Sequence, residues 1–396
     1  MRDVVVAGVG MTAFGRFLDR NLKSLSAEAV AAALADAGLT AAAVEAIYFG
    51  NAAAGTITGQ HNIRGQSALR PTGLLGKPIV NIENACASGS SAVQSAWLAV
   101  ASGQYDVALA VGAEKLVHPD KSVVFRAMES GLDLDRVDEM KAAFASAGAG
   151  ATQSIFMDIY ARMARDCMAR SGATAADFAR IAVKNHHAGA LNPKAQFRDE
   201  VTEAQVLQSR MISDPITLLM CSAIGDGAAA VILCSRKVAD RLASPPVSLR
   251  ACVLASGSDD AEAPKAATRA ARKAFELAGI GPEDIDVVEL HDAAAPGEMV
   301  LYEELELCGR GGGPALLASG ATALGGRMPV NPSGGLLSKG HPVGATGCAQ
   351  IVELTEQLRG RAGARQVAGA RVALAENGGG YLGHDTAACV VTLLSA

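Results

Sequence analysis

Charge is scarce in this chain. Only 19% of its 396 residues are Asp, Glu, Lys or Arg, the formal net charge is −5, and no basic run occurs. That balance excludes a nucleic-acid-binding surface. No apolar stretch of membrane-spanning length is free of charges or Gly/Pro breaks, so no membrane span is expected. The opening MRDVVVAGVGM reads as a short strand and a glycine turn, too short for a secretory apolar region with its cleavage site. The eight cysteines contain no CxxC pair, so neither a zinc knuckle nor a disulfide framework is expected, and no metal. A reducing cytoplasm follows as the expected compartment, with most thiols inert and one reactive.

Half the residues are hydrophobic and 43 are glycine. The length exceeds one ordinary domain, and the apolar fraction can fill a large core. The chain is also written twice. Residues 33–51 (ALADAGLTAAAVEAIYFGN) match residues 274–292 (AFELAGIGPEDIDVVELHD). Gly38 falls on Gly279, Val44 on Ile285, Ile47 on Val288 and Phe49 on Leu290, at a constant offset. Downstream, the loop at Cys86 overlays the loop at His341. Each opens an Ala-rich helix that leads to the same strand core, Val-Ala-Leu-Ala, at residues 107–110 and 372–375. Chance similarity of two Ala-rich helices is the competing reading, and the ordered agreement of several landmarks opposes it.

Strands alternate with helices in both copies, so an α/β fold with mixed or parallel sheets follows. An insertion of about residues 115–247 separates the copies. It carries expected helices over 153–171 and 174–186 and ends in GDGAAAVILC, a strand returning to the first sheet. The expected units are residues 1–114 with 225–245, an inserted loop domain at 115–224, and a second half at 246–396.

Four loops carry chemistry. Cys86, in NACASGSSA, follows an apolar strand and precedes a helix. A helix N-terminus there is expected to lower the thiol pKa. A lone buried cysteine is more often inert, and the repeat partner weighs against that reading. The partner is His341 in GHPVGATG, the base expected to activate the thiol; a plain helix start with an exposed histidine is the alternative. His291, beside Asp292, ends the repeated strand and is a candidate oxyanion donor or water holder, or else a local hydrogen bond. Glu376 stands before Gly378, Gly379 and Gly380, whose amides can face an anion, although such a run is usually only a turn.

These loops, in this order, resemble the thiolase superfamily over essentially the whole chain. The stretches NACASGSSA and NPSGGLLSKGHPVGATG look like its signatures, and KNHHAGALNP and GDGAAAVIL add weaker support. The resemblance implies two pseudo-symmetric βαβαβαββ halves in a five-layered α-β-α-β-α sandwich, with a loop domain inserted in the first. It implies that Cys86 takes an acyl group, His341 activates it, and His291 matches the residue that orients a catalytic water. The amides of Cys86 and of one glycine in the 378–380 run would form the second oxyanion hole. Ser338 and Gly340 would help hold coenzyme A, which acts as co-substrate with no bound cofactor.

The His-Asp pair places the chain nearer the branch with the sterol-carrier-protein-linked thiolases. The resemblance implies a dimer or dimer of dimers, and some of that branch use a small zinc-ribbon/OB-fold partner. One departure stands out. The second cysteine usual in the family is missing, with Glu376 and Ala293 at its two customary positions. Glu376 is the expected substitute as a buried carboxylate base, and His384 a weaker one.

The leading expectation is therefore cleavage of a 3-oxoacyl-CoA by CoA, or the reverse condensation, through an acyl group on Cys86. A CoA-thioester aldolase and an inactive CoA-binding scaffold are the rivals. Phe125, Met128, Met140, Phe144, Phe156 and Met157 of the insertion are expected either to line the acyl pocket or to be simple core.

Overall fold

Val4–Met11 (β1) shows why the core forms as it does. All eight of its residues are buried. Val5 and Ala7 pack outward with Leu25, Ala29 and Ala33 of the helix Leu22–Ala37 (α1). Val4 and Val6 pack inward with Ala92, Val93 and Ala96 of the helix Ser88–Ala101 (α2). A strand buried on both faces sits between two helical layers, and its sequence is apolar throughout rather than alternating.

In the computed structural model the described residues are 2–146 and 154–396, without the side chains of 143–146. The first half contributes Ala46–Gly50 (β2), Ile79–Ile82 (β3), Val107–Glu114 (β4) and Gly227–Ser235 (β5). The second contributes Val247–Ser256 (β6), Val287–Glu289 (β7), Val372–Gly379 (β8) and Ala388–Ser395 (β9). The nine strands run β3-β2-β4-β5-β1-β6-β9-β8-β7. The halves join where β1 pairs antiparallel with β6, through Val5–Ser248 and Val6–Val247.

Order and direction repeat about that seam. β4 is parallel to β2 and antiparallel to β5; β8 is parallel to β7 and antiparallel to β9. The helix Thr346–Leu358 (α7) lies beside α2 between the two halves of the sheet, and Ala266–Ala278 (α5) covers the outer face of the second half. The layers are therefore α1, sheet, α2 with α7, sheet, α5. The two central helices meet closely because Gly89 lacks a side chain: a Cβ there would lie 2.7 Å from the carbonyl oxygen of Gly344.

The offset of the repeat survives folding. Gly38 and Gly279 both end their helices in the left-handed conformation, with φ 64° and 66°. The symmetry breaks at the third strand. Its counterpart in the second half is a single parallel bridge, Val288–Val330. Pro329 and Pro332 flank Val330, and neither has an N–H to extend the ladder.

The two long helices of the insertion fold against the second half although they are written in the first, while its helix Lys121–Glu129 packs on Ala53 of the first. Its helices Ile155–Ser171 (α3) and Ala175–Ala190 (α4) pack through Ala161, Ala164, Phe178 and Ile181 against Met299 and Tyr302 of Ala295–Glu304 (α6). The expected helix start at residue 153 and the side chain of Phe144 lie outside the described residues. Among the described residues no helix is long and apolar enough to cross a membrane.

Candidate active site

Cys86 is set by a tight turn between β3 and α2. Ala85 adopts φ 47°, a left-handed value that costs a side-chain-bearing residue about 1–2 kcal/mol. The Ser88 hydroxyl stabilises the turn by donating to the carbonyl of Ala85 (2.7 Å) and accepting from the amide of Asn84 (2.9 Å). The sulfur stays accessible to a small cleft lined by Ala85, Met128, Phe156 and Val343.

His341 arrives from the other half. Gly340, at φ 105°, turns the chain into the site. The imidazole Nε2 lies 3.3 Å from Cys86 Sγ. Its Nδ1 lies 2.8 Å from the Thr346 hydroxyl, which donates to the carbonyl of Pro342 at 3.2 Å. With its own hydrogen so used, Thr346 accepts the Nδ1 proton. The Nε2 lone pair then faces the sulfur; this tautomer is assigned from the hydrogen-bond network.

His291 completes the cluster, with Nε2 3.4 Å from His341 Nε2. Its backbone amide donates to Glu376 Oε2 at 3.1 Å. Asp292 turns away from the cleft. It accepts from Asn185 Nδ2 (2.8 Å) and the amide of Leu336 (2.7 Å), and so ties the strand end to the NPSGG segment.

Burial governs the titration of all four groups. It lowers His291 to about 4 and holds His341 well below the ordinary imidazole range, with His291 and Lys339 adding to the effect. Both rings are neutral at pH 7. It raises Cys86 to about 12, assisted by the carboxylates of Glu114 and Glu83 and opposed by the amides of Cys86 and Gly380. The expected lowering of the thiol by the helix terminus is therefore corrected. A helix end contributes about 0.3–1 kcal/mol, whereas desolvation of a buried ionised group shifts its pKa by up to about 3–5 units. Glu376 is raised to about 7, against hydrogen bonds from the His291 amide and Cys389.

The three glycines separate in geometry. Gly380 directs its amide at the sulfur. Gly379 is pressed against the Cys86 turn, where a Cβ would lie 2.2 Å from the oxygen of Asn84. Gly378 sits beside Glu376 and His291. Ser338 and Gly340 are not brought to the cleft. Ser338 is buried, and its hydroxyl donates to the carbonyl of Phe197 at 2.9 Å. A Cβ on Gly340 would face Gln196 and Phe14. Ser338 and Gly340 both shape the chain around His341, and the Ser338 hydroxyl is taken up by Phe197.

Two cavities meet at the cluster. One, of about 560 Å³, reaches His341 and is lined mainly by apolar residues including Phe125, Met128, Phe156, Met157 and Leu218, with Arg210 on its wall. Met140 instead packs beside Leu132 and Ile155. The other, of about 330 Å³, reaches His291, Glu376, Gly378 and Gly380, and includes Tyr160, Glu304 and His384. Phe156 borders both.

Several supporting residues were not singled out in the sequence, although Thr346, Lys184 and Asn185 lie within the signature stretches. Thr346 holds His341. Cys389 lies 3.2 Å from Glu376 Oε1 although it is off the family's cysteine pattern. Glu114 accepts from the amides of Ala53 and Gly344, clamping the first half's strand end to the His341 loop. Lys184 and Asn185, within KNHHAGALNP, engage Glu298 at 3.0 and 2.9 Å beneath the His291 loop.

A cysteine and a histidine, one from each half of a duplicated five-layered fold, meet in this cleft, and the chain belongs to the thiolase family of acyltransferases. The family's "Thiolase, N-terminal domain" matches residues 4–237 and its "Thiolase C-terminal domain-like" residues 254–392. The chain is 40% identical to an acetyl-CoA acetyltransferase of Methanothermobacter thermautotrophicus over 386 residues, covering 96% of this chain and 97% of that protein. It is 36% identical to the benzoylsuccinyl-CoA thiolase subunit BbsB of Thauera aromatica over 398 residues, covering 97% of each. Among solved structures it is similar to the Ltp2-ChsH2(DUF35) aldolase, with a TM-score of 0.82 and 26% identity over all of this chain and 98% of that one.

Proposed function

We propose that this enzyme cleaves a 3-oxoacyl-CoA with CoA, or runs the reverse condensation, through an acyl group on Cys86. The observation that carries this reading is the 3.3 Å contact of Cys86 Sγ with His341 Nε2, with two backbone amides aimed at the sulfur. The thiol attacks the 3-keto carbon while His341 Nε2 takes its proton, so no free thiolate need accumulate in the buried site. The developing oxyanion is received by the amides of Cys86 and Gly380. The C2–C3 bond breaks, and the electron pair passes into the enolate of the departing thioester. That enolate oxygen lies toward His291 and His341, directly or through water. Glu376, near half-protonated at neutral pH, supplies the proton to C2. CoA then attacks the acyl-enzyme and gives its proton to Glu376, and the Cys86 sulfur leaves and takes back the proton held by His341.

The same reading takes residues 1–114 with 225–245 and residues 246–396 as the two catalytic halves. The 115–224 insertion forms much of the apolar cavity wall, where the pantetheine arm and acyl chain would lie. A homodimer or dimer of dimers belongs to this proposal; β3 is an edge strand, and its Val80 is 47% exposed. So does a small zinc-ribbon/OB-fold partner, since BbsB is named as a subunit and the aldolase structure pairs Ltp2 with a DUF35 protein.

A retro-aldol reaction on a hydroxyacyl-CoA is the second reading. It is favoured by Ala293 at the customary cysteine position and by the likeness to that aldolase. Aldol cleavage needs no acyl-enzyme, which leaves the Cys86–His341 pair without a task. The test is a panel of 3-oxoacyl-CoA and 3-hydroxyacyl-CoA thioesters, each with and without free CoA and any small protein encoded beside the enzyme. CoA-dependent loss of the 3-oxo substrates supports thiolysis. CoA-independent cleavage of the hydroxy substrates alone overturns it.

A further inference from the structure

Cys86, His341 and His291 converge on one small volume. The sulfur and the two Nε2 atoms all lie within 4.8 Å of one another. Tetrahedral zinc has Zn–S of about 2.3 Å and Zn–N of about 2.0–2.1 Å, so its ligand-to-ligand edges are about 3.4 Å for N···N and about 3.5 Å for S···N. The His291–His341 separation is 3.4 Å and the Cys86–His341 separation is 3.3 Å. Two of the three edges already have about the length of a zinc tetrahedron, and the third is no longer than 4.8 Å.

We propose that these three side chains form a binding site for a thiophilic divalent cation, with Zn²⁺ as the natural fit, and that the metal-bound enzyme is an inhibited resting form. Three protein ligands leave a fourth tetrahedral position open toward the cavities, where a water or the thiol of free CoA can bind.

The surroundings prepare the ligands. Thr346 holds the proton of His341 on Nδ1, which leaves Nε2 free to donate its lone pair, as outer partners of metal-bound histidines do. The thiol loses its proton to solvent as the S–Zn bond forms, and no redox change occurs. Occupation ties up the sulfur lone pair and the His341 base together, so acyl transfer stops until a chelator removes the ion. Inhibition rests on the thiolase reading, but metal affinity does not and is measured without substrate.

The experiment titrates Zn²⁺ into the full chain against a chromophoric chelator, with Co²⁺ as a spectroscopic probe. One ion per chain is expected, together with a thiolate-to-cobalt charge-transfer band and a loss of activity proportional to occupancy. Cys86→Ala and His291→Ala should each weaken binding at least as much as the roughly 10–100-fold loss typical of an outer-shell partner, and Thr346→Val should fall in that range. His187→Ala, at an exposed His187–Glu200 pair, should leave binding unchanged. Equal affinity in Cys86→Ala, a cobalt complex without the thiolate band, or full activity at one zinc per chain would each overturn the proposal.

Discussion

Cys86 and His341 lie 255 positions apart in the chain, yet Sγ and Nε2 are 3.3 Å apart in the fold. One belongs to each half, and the two central helices bring their loops together. The pair is neutral on both sides, because burial opposes the thiolate and the imidazolium alike. Catalysis must therefore move the proton during attack rather than before it. Everything that fixes the direction of the His341 lone pair then bears on rate.

Thr346→Val removes the acceptor that holds the His341 Nδ1 proton. A hydrogen bond of this kind contributes about 0.5–1.5 kcal/mol, so kcat should fall roughly two- to tenfold with little change in KM. Thr346→Ser should restore most of it. Steady-state kinetics of the three proteins checks this, and an unchanged kcat in the valine variant counts against the assigned tautomer.

Glu376 gives the pH dependence. As the acid that protonates C2 it must enter the cycle protonated, so acylation of Cys86 by a 3-oxo substrate should slow as pH climbs through about 7. Glu376→Gln should lose that limb along with most activity. The stability effect runs in the same direction. Because folding raises this carboxyl from its ordinary 4.5, its contribution is fully present below about 4.5 and is lost as pH rises through about 7. The amount is on the order of 3 kcal/mol. Denaturation curves of the wild type and Glu376→Gln against pH should converge at low pH and separate in favour of the variant above 7.

Lys339 and Glu289 form a buried ion pair at 3.1 Å, with the Ser333 hydroxyl donating to the same carboxylate. Lys339→Met leaves Glu289 without a cation in the interior and should cost about 3–5 kcal/mol. The double variant Lys339→Met/Glu289→Gln should recover part of the loss. Urea unfolding measures both.

Gly379→Ala places a methyl group 2.2 Å from the oxygen of Asn84 and 2.5 Å from the amide of Ala87. Relief requires the last glycine loop to move off the Cys86 turn, carrying the Gly380 amide with it. A loss of about 1–3 kcal/mol is expected, with a far larger relative loss of turnover than of stability.

Much of this arrangement was legible in the sequence because the repeat is local in character. The Gly38 and Gly279 stops and the apolar strands after them depend on neighbours a few positions away, so their shared offset marks two copies of one unit. The Cys86–His341 match followed from the same logic. The polar scaffold was hidden because its partners are distant: Asn185 with Asp292, Glu114 with Gly344, and Cys389 with Glu376 across a strand pair. The direction of the Cys86 shift was misread because a helix terminus is visible in sequence and burial is not. Ser338 and Gly340 lie in a signature stretch, but their folded role is to shape the chain behind His341.

The central claim is that Cys86 carries the acyl group. Rapid quenching of enzyme mixed with acetoacetyl-CoA, followed by peptide mass spectrometry, tests it most directly. The account predicts one acetyl group per active chain, on the peptide containing Cys86, formed before CoA is added, discharged by CoA and absent from Cys86→Ala. Turnover of a 3-oxo substrate with Cys86 unmodified at every quench time would contradict it.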